Sequence, residues 1–287
     1  MHDELATTTS DGVRIWIDHV PAIGASRGVV VCLHAMMTDG RYFGARRAGS
    51  FAGSIAALGF DVFVADFRGH GHSTPPRAGT DDWSFDDLVD KDLPAIVKAC
   101  ATAANVPIAE LILLGHSLGG LVACAALGTA KIPPVRALLL PATAVWLVGP
   151  DGSIRRRALM AAYRGVAQLF GRAPVRALGA GTADESVTYV GQLTSWARTA
   201  RWTSLRGVDY LAALATIETP VVPVVGAGDW MCTVDDARGF AAKIPKARAL
   251  RIVSTRHGDA LDPDHFQLFT RPELRPLWSE LLAKLSC

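Results

Sequence analysis

Apolar positions in this chain gather into short, nearly unbroken runs, separated by polar or amphipathic stretches. Residues 29–33 (VVVCL), 60–65 (FDVFVA), 111–114 (LILL), 135–140 (VRALLL) and 220–225 (PVVPVV) are runs of strand length. Residues 13–20 (VRIWIDHV) alternate instead, as a half-exposed strand does, after a turn signal at Thr9-Ser10-Asp11-Gly12. A shorter strand is expected at 249–253. Between these runs lie helical patterns at 49–58, 84–104, 234–243 and about 272–285, with a further helix rich in Ala and Leu from Gly120. Ser84 and Asp87 stand at capping-box spacing, with Asp in the place usually held by Glu or Gln. Strands alternating with helices, most strands lacking a polar face, predict a largely parallel sheet covered on both sides.

The alternation stops after residue 145 and resumes near 216. Residues 146–215 offer no convincing strand, so they are expected to form a helical cap, or lid, on a core built from 1–145 and 216–287. Arg155, Arg156, Arg157, Arg164, Arg172 and Arg176 lie there, with no acidic residue from Gly152 to Ala183. Leu159, Met160, Tyr163, Val166 and Phe170 recur at helical spacing, which gives an amphipathic helix with a basic face. That face is either simply solvated or is a lid surface meeting an amphiphilic or anionic substrate, with peripheral membrane contact as an extension. Trp146, Met160, Trp196, Trp202 and Trp230 are candidates to line a substrate pocket, with Tyr189 and Tyr210 beside them.

Composition narrows the class. The chain has 287 residues, half of them hydrophobic and 20% charged, which suits one large α/β domain with an insertion. A net charge of +2 is too small to imply nucleic acid. Residues 111–130 contain no Asp, Glu, Lys or Arg and are long enough to cross a bilayer. Their glycines, His116, Ser117 and strand-like start favour a strand and helix buried in a sheet protein. The acidic, polar start MHDELATTTSDG has neither the charged nor the apolar part of a secretory signal. Cys32, Cys100, Cys124, Cys232 and Cys287 lack metal-site spacing. The first three sit in apolar patterns and read as buried thiols. A reducing, cytoplasmic setting is therefore expected, with no metal or organic cofactor.

Within the apolar run, Gly115-His116-Ser117-Leu118-Gly119 fits G-x-S-x-G between a strand and a helix, the arrangement of a nucleophile elbow. A serine hydroxyl needs a base, a group that orients the base and donors for the developing oxyanion. Carboxyl ends of parallel strands share one edge, so an acid should follow a later strand. Asp229, in Gly226-Ala227-Gly228-Asp229 after the 220–225 run, is the candidate; Asp235 and Asp236 read as helix-start residues. The base should follow the last strand. His257 and His265 are both available, and distance from the strand end favours His257.

The pieces LHAMM, DFRGHGHS, GHSLGG, GAGD and HFQLFTRPEL occur in an order that resembles the α/β-hydrolase superfamily over nearly the whole chain. In style they are nearest to its monoacylglycerol-lipase and serine-aminopeptidase branch. The resemblance implies an α/β-hydrolase fold with a mostly parallel central sheet, helices on both faces and an inserted helical cap. It also favours His265, seven residues before the Pro272-Glu273 pair, as the base. It gives the amides of Met36 and Leu118 as the oxyanion donors and His34 as a structural support. Ala35 stands where the family usually has Gly, and so puts the shape of the oxyanion loop in question. His70, His72 and His116 read as structural hydrogen bonders. The expected activity is hydrolysis of a carboxylic ester on a small acyl substrate by a Ser-His-Asp triad. A thioesterase, peptidase, acyltransferase or carbon–carbon bond hydrolase would use the same residues, and a non-catalytic ligand-binding protein could share the fold.

Overall fold

The computed structural model describes residues 3–44, 49–73, 82–149 and 153–285. Its centre is an eight-stranded sheet in the order β1-β2-β4-β3-β5-β6-β9-β10. The strands are β1 (Asp3–Thr8), β2 (Arg14–Val20), β3 (Val29–Leu33), β4 (Asp61–Ala65), β5 (Leu111–Gly115), β6 (Ala137–Pro141), β9 (Val221–Gly226) and β10 (Arg251–Val253). β1 and β2 pair antiparallel with each other, and β2 antiparallel with β4; all other pairs are parallel. Every residue of β3, β5, β6 and β9 is buried. Successive side chains point to opposite faces, so Val29, Val31 and Leu33 join one core and Val30 and Cys32 the other.

Helices complete each layer. On one face lie α2 (Phe85–Asp87), α3 (Leu93–Ala104) and α4 (Leu118–Gly128). The other is covered mainly by α1 (Phe51–Ala57), α8 (Val234–Ala241), α9 (Gln267–Thr270) and α10 (Arg275–Ala283). The capping box of Ser84 and Asp87 is formed with both of its hydrogen bonds. From there the chain runs through a π-helical segment, Leu88–Asp92, into α3, and Asn105 ends it in a left-handed conformation. Buried Arg68 sits against this stretch, bonded to Asp92 and, from its other edge, to Asp11. Residues 111–130 are thus β5, the elbow and α4. Among the described residues no helix is long and apolar enough to cross a membrane.

Three features depart from the sequence pattern. β1 was hidden because an edge strand with water on its outer side needs no apolar run, and its residues alternate only weakly. Residues 146–215 do contain strands, β7 (Arg172–Ala173) and β8 (Glu185–Ser186), an antiparallel pair too short to leave a periodic signal. The same segment supplies α5 (Ile154–Phe170), α6 (Val187–Thr199) and α7 (Tyr210–Ala213). The inward face of α5 is also narrower than its apolar spacing suggests. Ala167 is buried and Met160 and Tyr163 are half-buried, while Leu159 and Phe170 face outward. Cys32, Cys100, Cys124 and Cys232 are buried free thiols, and Cys287 lies outside the described residues.

Candidate active site

The sheet register brings the loop-bearing strand ends to one edge. Leu33 pairs with both Ala65 and Gly115, and Val253 pairs with Gly226. The chain leaves β3 for β4 on one side, and β5 lies on the other, so the elbow emerges at the point where strand order reverses. In open parallel sheets that is where a crevice forms.

Ser117 occupies the elbow with φ 51° and ψ −110°, outside the ordinary regions for an L-residue. Such a conformation costs about 1–3 kcal/mol and persists only where the surroundings enforce it. Here Ser117 N–H donates to Pro141 O, and the Gly119 amide is shared between His34 O and His116 O. Gly119 has no alternative: a Cβ there would lie 2.4 Å from Leu33 O. Leu118 opens α4, so its N–H lies in the first turn, where no intrahelical carbonyl is within reach.

Asp229 follows β9 in a tight turn. One carboxylate oxygen, Oδ1, accepts from the amides of Met231 and Cys232, both at 2.8 Å. The other, Oδ2, faces His265 Nδ1 at 2.8 Å. The tail loop reaches this turn because Gly226 lets it: a Cβ on Gly226 would sit 2.0 Å from Pro263 O. His265 is therefore the histidine brought against Asp229. His257 is exposed, its Nδ1 turned toward Ile252 O at 3.3 Å.

His116 ties the tail to the elbow. Its Nε2–H donates to the backbone carbonyl of His265 at 3.0 Å, and its ring lies 5.0 Å from the His265 ring. Tyr42 stacks on His116 and donates its hydroxyl to Phe266 O. The loop carrying the candidate base is thus fixed by groups from the elbow and from the loop after β3. His265 Nε2 is buried and has no hydrogen-bond partner. Burial and the neighbouring His265 hold the His116 pKa well below its ordinary value, so His116 is neutral.

The loop after β3 contains Met36. His34 supports it: Phe67 N–H donates to His34 Nε2 at 3.1 Å, so Nδ1 carries the hydrogen and donates to Ala35 O at 2.8 Å. Burial, with a contribution from His70, lowers the His34 pKa to about 3. Ala35 does not need the left-handed region. The residue with positive φ in this loop is Met37, at 61°.

The five pocket candidates divide. Trp196 and Trp202 are not pocket-lining: they are 2% and 0% exposed, packed with Phe85 and Tyr210 in an aromatic cluster of the core, and have no free surface to offer a ligand. Tyr189 is likewise buried, stacked on Trp83. Trp146 is half-buried near the Asp229 turn, donating Nε1–H to Met231 O under the Arg156 guanidinium. Met160 is half-buried on α5, and Trp230 is exposed beside Asp229. Glu185 and Tyr42 escaped the sequence reading. Glu185 is the only acid in a stretch of otherwise unremarkable polar residues after Asp184, and nothing local marks it as buried. Among the described residues no group of three or more His, Cys, Asp or Glu side chains is placed to hold a metal ion.

Comparison with known proteins agrees with this architecture. The model of the family described as serine aminopeptidase, S33, matches residues 24–258. A pimeloyl-[acyl-carrier protein] methyl ester esterase of Xanthomonas campestris pv. campestris is 28% identical over 265 residues, covering 85% of this chain and 92% of its own. An esterase of Exiguobacterium antarcticum superposes with a TM-score of 0.65 at 18% identity, over 98% of each chain. A hydrolase of Pseudomonas aeruginosa superposes with a TM-score of 0.62 at 22% identity, over 99% of this chain and 98% of its own.

Proposed function

This chain belongs to the serine aminopeptidase S33 family of α/β hydrolases, and on that premise we propose that it is a serine hydrolase cleaving carboxylic esters through Ser117, His265 and Asp229. The observation that carries the reading is the state of His265. Its Nδ1 is held by Asp229 at 2.8 Å and its Nε2 is buried and unpartnered, while its backbone carbonyl is tied to the elbow by His116. A base oriented at one nitrogen with the other kept for a proton is what an unactivated serine requires.

In this mechanism Ser117 Oγ attacks the acyl carbon as His265 Nε2 takes its proton. The amides of Met36 and Leu118 bond to the resulting oxyanion, each such donor lowering the barrier by about 2.7–4 kcal/mol. The proton passes from Nε2 to the leaving alkoxide, and an alcohol departs. Water, deprotonated by the same nitrogen, then attacks the acyl-enzyme, and the carboxylic acid leaves with Ser117 restored. Asp229 keeps Nδ1–H directed and offsets the charge on the imidazolium. Ester over amide is favoured by the methyl ester esterase among the relatives.

Residues 146–215 act as the cap in this reading, held to the core by the Arg156–Asp236 ion pair at 2.5 Å and by Trp146. Peripheral contact with an anionic lipid surface is a second element of the proposal. It is supported by the outward side of α5, where Ile154, Leu169 and Phe170 are strongly exposed beside Arg155, Arg157 and Arg164. The buried thiols support a reducing, cytoplasmic setting.

Treatment with a fluorophosphonate probe tests the chemistry. Stoichiometric labelling at Ser117 is expected, together with loss of esterase kcat by about 10⁴-fold or more in Ser117→Ala. A folded Ser117→Ala variant with full activity would end the proposal. Matched ester, thioester and amide substrates then rank the leaving groups.

A further inference from the structure

Met37, the residue after the proposed donor Met36, is gripped from three sides by the segment between β6 and β9. Its N–H donates to Glu185 Oε1. Its carbonyl accepts from the amides of Thr182 and Ala183, at 2.8 and 3.3 Å. Its side chain packs on the small cluster of Ala167, Ala173, Val175 and Val190, drawn from α5, β7 and α6 and the turn between them. A methionine at φ 61° is strained, and these contacts are what hold it there.

Glu185 is the unusual member of that grip. Its side chain is wholly buried, and a carboxylate out of water is costly unless opposed and hydrogen-bonded. Oε1 serves the Met37 amide and faces His70 Nε2 at 3.4 Å, while Oε2 has no partner. His70 Nδ1 faces Arg68 O at 2.9 Å, so a second proton, on Nε2 toward Glu185, would charge the ring. Burial opposes that charge, but the attraction and hydrogen bond of Glu185 outweigh it and raise the His70 pKa.

We propose that Glu185 is the positioning residue of the oxyanion loop. By fixing the Met36–Met37 peptide it restrains the adjoining Ala35–Met36 peptide, whose N–H is the proposed donor, so the strand pair β7–β8 makes the proposed catalytic centre competent. The inference rests on the ester-hydrolase reading and adds to it a group outside the triad. Oxyanion stabilisation acts on the transition state more than on bound substrate, so losing Glu185 should lower kcat and leave KM nearly unchanged.

Three variants separate this role from simple structural support, using p-nitrophenyl butyrate as substrate. Glu185→Ala is expected to lose about 10- to 100-fold in kcat, with KM within about 3-fold of the parent. Glu185→Gln retains an acceptor for the Met37 amide and should stay within about 3-fold in both. Glu185→Asp keeps the charge but withdraws it by one methylene, and should lose about 10-fold in kcat even if the alanine variant does not fold. Unchanged kcat in Glu185→Asp, a loss confined to KM, or a fall in Glu185→Gln as deep as in Glu185→Asp overturns the proposal. Probe labelling of the parent protein keeps the two readings apart. A parent that labels at Ser117 while its Glu185 variants turn over normally refutes only the role of Glu185; a parent that does not label refutes the hydrolase.

Discussion

His34 and His116 are wholly buried, each beside another histidine, and neither can take a proton cheaply. Both fold with a pKa below the ordinary 6.5. The unfolded chain therefore binds more protons than the folded one as pH falls below that value, and stability drops with it. His70 has the opposite shift: its contribution is fully present below 6.5 and is lost as pH rises through its folded value, so on acidification it offsets part of that loss. Lowering the pH from 7 to 5.5 should cost about 1–3 kcal/mol of unfolding free energy: each of the two rings loses up to about 1.4 kcal/mol per unit below 6.5, and the gain at His70 reduces the sum. Urea titrations at the two pH values measure it, and equal stabilities would show that the folded protein does not keep these two rings neutral at a net cost. At this scale the sequence was readable where chemistry leaves a local mark. Ser117 sits in a glycine-flanked pentapeptide, and Asp229 ends a strand in a glycine-rich turn. Trp196 and Trp202 carried no such mark, because an aromatic ring in a helical pattern suits a core and a pocket alike. Glu185 carried none either, since its burial is decided by Met37, almost 150 residues away.

Elements were legible in proportion to their burial. β3, β5, β6 and β9 are covered on both faces, so every position had to be apolar and the run announced the strand. β1 is an edge and β7 and β8 have two residues each, so pairing rather than side-chain pattern defines them. Two glycine substitutions test how far backbone contact dictates the elbow. Gly119→Ala places a methyl 2.4 Å from Leu33 O and should destabilise the fold by about 1–3 kcal/mol and slow labelling of Ser117. Gly165→Ala lies within α5 with nothing inside 4 Å and should instead stabilise by about 0.5–1 kcal/mol. Thermal melts of the pair give the contrast; equal shifts would mean that the β3–α4 contact tolerates expansion.

Across the whole molecule, the sheet divides two cores, and the 146–215 segment meets the first of them through Tyr189, Trp196 and Trp202. That attachment accounts for the burial of aromatic residues that a sequence pattern offers equally to a pocket: they pack the 146–215 segment onto the core. What the attachment leaves outside is the far side of α5, with its exposed Ile154 and Leu169. Vesicles containing phosphatidylglycerol should bind the protein at low ionic strength and release it as salt screens the arginines, whereas phosphatidylcholine vesicles should not. Arg155→Glu combined with Leu169→Asp should abolish binding. Equal binding to both lipids, or none at low salt, would remove the membrane from the proposal.

The hydrogen bond from His116 to the carbonyl of His265 spans 149 residues of chain. On a ribosome those residues emerge at about 5–20 per second, so roughly 7 to 30 seconds separate the synthesis of the elbow from that of its proposed base. In the proposed mechanism the nascent chain presents Ser117 during that interval without its base. In that mechanism, reactivity arrives only once β10 and the segment carrying His265 have followed the elbow out of the ribosome.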